Sequence, residues 1–167
     1  MTAPVPDLHP DIATLATLLG TWAGSGHGDY PTIDPFDYLE QVTFGHVGKP
    51  FLTYGQRTRH PDTGQPMHAE TGYVRPGDGP GAVELVIAQP TGITEAHTGT
   101  LEHDGDRLVL DLRCEAPGLT PTAKRVTAVR RRLVVTGDEL AYDMWMAHGP
   151  TPETHHLAAT LHRQETP

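Results

Sequence analysis

The hydrophobic pattern divides the chain into one helical segment and a long region of short strands. Residues 11–19 carry apolar side chains at helical spacing and end before a glycine, which predicts one short helix. These apolar residues are Ile12, Leu15, Ala16 and Leu19. From Trp22 onward apolar and polar residues alternate with a period of two, which is typical of strands with one buried face. The strand candidates are 22–28, 37–44, 51–60, 67–74, 82–88, 94–101, 107–114, 125–136, 139–148 and 154–163.

Short connectors rich in glycine, proline and aspartate separate the strands, among them PDTGQ, RPGDGPG, QPTG, HDGD, TGD and HGPTP. Because such residues favour tight reversals, consecutive strands are expected to pair antiparallel. No helices alternate with the strands. We therefore predict an all-β fold, an antiparallel β-barrel of about ten strands with one short N-terminal helix and an interior wide enough for a small ligand. One domain is expected over residues 11–167, after a flexible segment over residues 1–10.

The overall charge restricts the classes of partner. Twelve Lys and Arg against 21 Asp and Glu give a formal net charge of −9, which repels phosphate backbones and anionic lipid surfaces. We therefore expect neither nucleic acid nor a membrane as a partner. The single cysteine, Cys114, fits a reducing compartment, and no signal peptide or apolar span is recognisable, so we expect a cytoplasmic protein. The oligomeric state stays open.

Eleven histidines raise the question of a metal or haem site, since neutral imidazole is a common iron ligand. Six of them lie in or beside predicted turns, where solvated side chains are expected. These six are His9, His46, His60, His97, His103 and His148. The basic run at residues 130–132 is likewise interpreted as a partly solvated strand. His155 and His156 fall on opposite faces of the last strand, and alternation alone leaves open whether the face of Leu157 and Leu161 or that of His156 points inward.

Three further strand faces are distinctive. Gly20, Trp22, Gly24, Gly26 and Gly28 share one face of the first strand. Such a row suits a place where another backbone or a flat ligand approaches closely, and it also suits a simple bend where the barrel closes; the ligand and the bend interpretations both stay open. Two apolar rows are expected to face the interior: Val83, Leu85, Ile87 and Gln89, and Leu140, Tyr142, Met144 and Met146. No catalytic triad, phosphate-binding loop or pair of catalytic carboxylates is recognisable.

Six sequence blocks in a fixed order carry a family resemblance: GTWAGSGHGDYPTI, FDYLEQVTFGHVGKPFLTY, PMHAETGYVRP, ELVIAQPTGITE, PTAKRV and HLAATLHRQ. Together they resemble the nitrobindin family from about residue 20 to residue 164. The most specific element is G-x-W-x-G-x-G, formed by Gly20, Trp22, Gly24 and Gly26. The resemblance implies a barrel similar to fatty-acid-binding proteins, one haem b per chain held by a proximal histidine, nitric oxide binding, and isomerisation of peroxynitrite to nitrate at ferric iron.

The resemblance also implies roles for individual residues. In the HLAA block the proximal iron ligand falls on His156, with His155 as a neighbouring competitor, and this choice places Leu157 and Leu161 outside the barrel or against the helix. Thr32 is expected to touch the haem and Lys124 to meet a propionate. The positions expected to line the haem pocket are Met67, His68, Gln89 and Met146.

An alternative function is a carrier of a small apolar metabolite or fatty acid in the same cavity, without iron. Such a carrier is expected to place an arginine deep in the barrel to bind a carboxylate. The arginines here cluster within residues 125–132 and near strand ends, which speaks against this alternative. A ferric haem with one imidazole ligand, by contrast, has a free coordination site and can act as a Lewis acid without an external electron.

Overall fold

Ten long antiparallel strands form a closed barrel in the computed structural model, which describes residues 6–165, and a further strand of two residues pairs with one of them. The strands are β1 (Gly20–Tyr30), β2 (Ile33–His46), β3 (Leu52–Arg59), β4 (Pro66–Pro76), β5 (Ala82–Ala88), β6 (Ile93–Asp104), β7 (Arg107–Cys114), the two-residue β8 (Gly118–Leu119), β9 (Val126–Thr136), β10 (Glu139–His148) and β11 (Thr151–Arg163). Neighbours along the chain pair in order, except that β8 pairs with β6 and β7 pairs with β9. Pairing of β1 with β11 closes the barrel. All ten predicted strands and the fold class are confirmed.

The predicted helix is present as a 3₁₀ helix over Pro10–Leu18. Its buried side chains are Ile12, Leu15 and Leu18. Their spacing of three matches the three residues per turn of a 3₁₀ helix, and Leu19, which an α-helix would bury, is only partly buried. The helix packs against the barrel core and covers one end, where Trp22 Nε1 donates to the carbonyl oxygen of Leu18 at 2.8 Å.

The segment before the helix falls partly outside the described residues. Residues 1–5, which belong to the segment expected to be flexible, lie outside them. Residues 6–9 have no regular secondary structure, although Leu8 packs against the core. Within residues 6–165, no helix has the length and apolar character needed to cross a membrane.

The glycine row of β1 makes room for neighbouring parts of the barrel wall. A Cβ atom at Gly24 would overlap the backbone carbonyl of Thr160 in β11, so the two strands approach closely where the barrel closes. A Cβ atom at Gly26 would overlap the ring of Tyr38, which lines the interior. Close backbone approach therefore accounts for Gly24, whereas Gly26 accommodates an aromatic side chain.

An irregularity in β11 changes which side chains face the interior. Leu157 and His155 are opposite consecutive residues of β10, so His156 is an extra residue in β11. Such a β-bulge interrupts the alternation of faces, and His156 and Leu157 both line the interior. The expectation that Leu157 lies outside the barrel is therefore wrong. Leu161 is fully buried, in the core cluster that also contains the helix side chains.

Candidate functional site

A cavity of about 290 Å³ occupies the barrel interior between the helix and the opposite end, which we call the mouth. The turns at the mouth are residues 31–32, 60–65, 89–92 and 149–150. Apolar side chains lining the cavity near these turns include Ile93, Val126, Met146 and Leu157. On the helix side the cavity is bounded by Leu18 and Phe44. The predicted interior cavity is therefore present, with its apolar mouth away from the helix.

His156 lies at the mouth, in the bulge of β11. Its Nδ1 is 3.2 Å from the carbonyl oxygen of Asp29; since a carbonyl only accepts, Nδ1 carries the proton and Nε2 keeps a lone pair. Burial lowers the pKa of His156, which keeps the ring neutral at pH 7. Edge contacts with Tyr30 and Phe36, at ring-centroid distances of 5.1 and 6.4 Å, hold the ring in place. This is the form of imidazole that binds iron.

His155 faces the outer surface of the barrel. Its Nε2 lies 2.8 Å from Asp143 Oδ1, and its ring contacts Trp145 edge-on at 5.4 Å. The side chain is 45% exposed and does not line the cavity. The two neighbouring histidines therefore have different environments, and only His156 faces the interior.

A buried ion cluster lies inside the barrel, next to the mouth. Arg131 Nη2 is 2.8 Å from Glu70 Oε1 and 3.0 Å from Glu95 Oε2, and all three residues are buried. Burial is the largest single influence and would raise the pKa of both carboxyls. The guanidinium of Arg131, helped by His68 at Glu70 and by His97 at Glu95, outweighs burial and holds each pKa below its usual range. The interpretation of residues 130–132 as a partly solvated strand is therefore wrong for Arg131, whereas Arg130 and Arg132 are only partly buried.

The ion cluster contacts two residues predicted to line the pocket. Gln89 Nε2 donates to Glu95 Oε1 at 2.6 Å, and His68 Nε2 lies 3.5 Å from Glu70 Oε1. His97 Nε2 is 2.6 Å from Glu95 Oε2, and the His97 side chain is fully buried. The expectation that His97 is solvated is therefore wrong, because a buried carboxylate on its own strand binds it.

Comparison with known proteins identifies the family. Residues 11–163 match the family model described as "THAP4-like, heme-binding beta-barrel domain". The chain belongs to this haem-binding family. Peroxynitrite isomerase 1 of Mycolicibacterium paratuberculosis is 55% identical over 158 residues, which is 95% of this chain and 98% of the relative. Peroxynitrite isomerase of Nocardia farcinica is 56% identical over 156 residues, 93% of this chain and 92% of that protein.

A solved structure supports the same assignment. The crystal structure of Rv2717c from M. tuberculosis superimposes on this haem-binding barrel with a TM-score of 0.92 and is 53% identical. The match covers 95% of this chain and 100% of that one. The resemblance found in the sequence blocks is therefore confirmed at the level of family and fold.

The residues at the mouth fit a haem better than a bare metal ion. Within residues 6–165, no three His, Cys, Asp or Glu side chains are grouped to hold a metal ion. A porphyrin supplies four nitrogen ligands of its own, so one neutral imidazole is sufficient from the protein. His156 provides such a group beside an apolar wall, and Met67, His68, Gln89 and Met146 line the same cavity.

Two predicted haem contacts lie outside the cavity lining. Thr32 is exposed in the turn between β1 and β2, and Lys124 is exposed in the loop before β9. Lys124 is close enough to His156 for its charge to contribute to the lowered pKa, after the larger effect of burial. Both residues are at the rim of the mouth, not inside it.

Arg131 also bears on the carrier alternative. Contrary to the expectation from sequence, an arginine does lie buried inside the barrel. Its guanidinium is already bound by Glu70 and Glu95, with Nη1 and Nη2 donating to Glu70 at 3.0 and 2.8 Å. A ligand carboxylate would have to displace two buried carboxylates, so the site does not favour a fatty-acid carrier.

Proposed function

We propose that this protein binds one haem b at the mouth of the barrel through His156, binds nitric oxide there, and isomerises peroxynitrite to nitrate. The observation that carries the proposal is the neutral, partly buried imidazole of His156, which lines the cavity with Nδ1 bound to a backbone carbonyl and Nε2 left free to bind a metal. The names of the relatives, peroxynitrite isomerases at 55% and 56% identity, support the reaction.

His156 has two tasks in this proposal: it binds the iron and fixes the orientation of the haem. The carbonyl of Asp29 accepts from Nδ1 and so directs Nε2 toward the iron. When bound, ferric haem supplies a Lewis-acidic site for rearranging the O–O bond of peroxynitrite. No net proton or electron is required from the protein, because peroxynitrite and nitrate have the same composition and charge.

The remaining mouth residues exclude water and limit hydrogen bonding. Met146 and Leu157 form part of the apolar wall. Gln89 is nearby, but its Nε2 donates to Glu95, and the Nε2 of His68 is directed toward Glu70. Because these donors are engaged, they give little stabilisation to bound dioxygen. We further propose that Met67 contacts the macrocycle.

The exposed rim residues have a secondary role in the proposal. Thr32 touches the haem edge and the Lys124 ammonium pairs with a propionate, as the resemblance implies. Their positions at the rim suit a haem whose propionates extend into solvent. Each would add one peripheral contact to a complex held mainly by the iron–histidine bond.

The absorption spectrum of protein purified from haem-supplied cells tests the proposal. His156→Ala should abolish the histidine-ligated haem spectrum while the β-sheet circular dichroism stays near wild type, because a side chain at an open mouth is not densely packed. Added imidazole should restore the spectrum by binding in the vacated space. His155→Ala, the matched control on the outer face, should leave it intact.

Three results would contradict the proposal. If His155→Ala lost the spectrum and His156→Ala kept it, the ligand would be the outer histidine. If neither variant changed haem binding, iron ligation by this histidine pair would be excluded. If the wild type bound no haem, the carrier alternative would be favoured instead.

A further inference from the structure

The helix side of the cavity has polar groups that the haem proposal does not use. Phe36, which contacts His156, and Glu40 are four residues apart on β2, about 13 Å along the strand at roughly 3.3 Å per residue. We call the region around Glu40 the deep chamber; its lining residues are Glu40, Phe44, Tyr54, Gln56 and Tyr142. It lies on the helix side of the cavity, away from the mouth where His156 is placed.

Glu40 is a buried carboxyl whose hydrogen-bond partners are neutral. It is 4% exposed, and it accepts from Tyr142 Oη at 2.7 Å and from Gln56 Nε2 at 2.9 Å. Glu70 and Glu95, by contrast, bind Arg131 directly. Burial raises the pKa of Glu40 to about 7, and the charges of Glu70 and Arg131 act on it only as smaller, opposing effects. A buried carboxylate without a cationic partner is costly.

The donors around the deep chamber are engaged, whereas acceptors are left over. The Tyr142 hydroxyl donates to Glu40, and the Tyr54 hydroxyl donates to Glu70 at 2.8 Å. Gln56 is nine-tenths buried, and its Oε1 has no hydrogen-bond partner within residues 6–165. Since an ionised carboxylate has about four lone-pair sites, Glu40 also has unused acceptor capacity. A matching ligand must therefore bring hydrogen-bond donors.

Aromatic rings form the rest of the wall. The rings of Phe44 and Tyr54 lie 5.5 Å apart, and Tyr142 lines the same space. The faces of such rings attract cations and pack against apolar groups. Negative charge, spare acceptors and aromatic walls together favour a ligand that has a cationic hydrogen-bond donor and an apolar group.

We propose that the deep chamber binds a small primary ammonium compound with a compact apolar body. The ammonium group donates to Glu40 and to Gln56 Oε1, and the apolar body packs against Phe44 and Tyr54. The three N–H donors of a primary ammonium match the unused acceptors, and its charge pairs with Glu40. The site is independent of the proposed haem function, because none of these residues is a proposed haem ligand.

Calorimetric titration with three compounds of similar shape tests the charge preference: benzylammonium, benzyl alcohol and benzoate. Wild type, both haem-free and as isolated with haem, should bind benzylammonium at least about tenfold more tightly than benzyl alcohol, and benzoate not detectably. The absorption spectrum of the haem-loaded protein should not change on titration, which separates this site from coordination to iron. Equal affinity for the ammonium and the alcohol would overturn the proposal. Absence of binding would overturn it too, because a water molecule would then be a sufficient hydrogen-bond partner for Gln56 Oε1.

Glu40→Gln tests the assignment to Glu40. The amide preserves the shape and accepts from Tyr142, and it can donate to Gln56 Oε1 if the Gln56 amide rotates by half a turn, so the fold should persist. The tenfold preference for the ammonium should disappear. Glu84→Gln, the same chemical change at a partly exposed position that pairs with Arg75, should retain the preference. An unchanged preference in Glu40→Gln would contradict the proposal.

A measurement on the wild type avoids any dependence on the variant's stability. If the ammonium binds the ionised form of Glu40, saturation must lower the pKa of this carboxyl. Carboxyl-carbon NMR can follow this pKa, and contacts from the benzyl ring to Phe44 and Tyr54 should appear in the same sample. A pKa of Glu40 that saturating ligand leaves unchanged would place the ligand elsewhere.

Discussion

Arg131 joins carboxylates from two strands inside the barrel, Glu70 on β4 and Glu95 on β6. The attraction between these charges must offset the cost of removing all three from water. The cluster as a whole therefore need not make the fold more stable than apolar side chains of similar volume would in its place. Loss of one partner is different, because the remaining charges stay buried without compensation. The cluster also holds Gln89 and His68 in place at the mouth.

We predict that Arg131→Met lowers the free energy of unfolding at pH 7 by about 3–5 kcal/mol, as removing one member of a buried ion pair does. Urea denaturation measures this quantity. Arg113→Met is the matched control, because Arg113 pairs with Glu115 and Glu153 at an exposed site where solvent screens the ion pairs and a much smaller loss is expected. Similar losses in the two variants would contradict a structural role for the buried cluster.

The free energy of unfolding of the same variant should depend on pH in a defined direction. Arg131, together with His68 and His97, holds the pKa of Glu70 and Glu95 below the unfolded value. The contribution of these carboxyls to stability is therefore present above that value, near 4.3, and is lost as the pH falls through the lower folded-state pKa. In Arg131→Met burial raises both pKa values instead, so the carboxyls take up protons readily on acidification. The stability difference between wild type and variant should therefore shrink between pH 7 and pH 4.

The alternation of apolar residues along each strand shows that these buried polar residues point inward, although the local charges suggest the opposite. Arg131 falls in register with Val129, Leu133 and Val135, an otherwise apolar row that indicates an inward face. His97 is likewise in register with the buried Ile93. The charge run at 130–132 and the nearby turn suggested solvent instead. Alternation therefore predicts direction well, but it does not reveal that a partner carboxylate lies on another strand.

At the level of elements, alternation and turn chemistry predicted the ten strands and failed where a strand is irregular. The predicted turns carry glycines with positive φ, such as Gly105 at 64° and Gly137 at 58°, which fix the strand ends. The bulge at His156 has no such marker, because it depends on how β11 pairs with β10. The family resemblance assigned His156 to the interior, where the structure places it, while Leu157 was wrongly expected outside the barrel because strict alternation was assumed.

The close approach of β1 and β11 gives a prediction for Gly24. Gly24→Ala should lower the free energy of unfolding by about 1–3 kcal/mol, because the new Cβ overlaps the Thr160 carbonyl and the strands must separate. Gly55→Ala on β3 is the matched control, since nothing lies within 4 Å of a Cβ there; its stability should be equal or slightly higher. Thermal and urea unfolding provide the measurement.

Haem uptake per folded molecule separates the two interpretations of the glycine row. If close packing of strands is the reason for Gly24, the folded fraction of Gly24→Ala should take up as much haem as the wild type. If Gly24→Ala instead had normal stability but took up less haem, the glycine row would serve the approach of a ligand. That result would contradict the packing argument.

At the scale of the whole molecule, the net charge opposes the arrival of an anion at the mouth. The formal charge is −9, and such a charge creates a long-range potential that lowers the association rate of like-charged ligands. Lys124 lies near His156 at the rim, so its local potential has the opposite sign. The repulsion by the net charge acts over a longer distance than the attraction by Lys124, and added salt shortens the distance over which either acts. The salt dependence of the association rate therefore shows which effect controls the entry of an anion.

We predict that the long-range repulsion controls entry. Azide, a stable anion that binds ferric haem, should associate with the haem-loaded protein about two- to tenfold faster when ionic strength rises from about 0.01 M to 1 M, since the screening length falls from about 30 Å to 3 Å. Stopped-flow absorbance measures the rate, and neutral nitric oxide is the control whose rate should not change. An azide rate that falls with salt would mean that Lys124 dominates, and Lys124→Ala should then remove the salt dependence. A rising rate implies that peroxynitrite anion reaches the proposed site fastest in concentrated electrolyte, where the acidic surface no longer repels it.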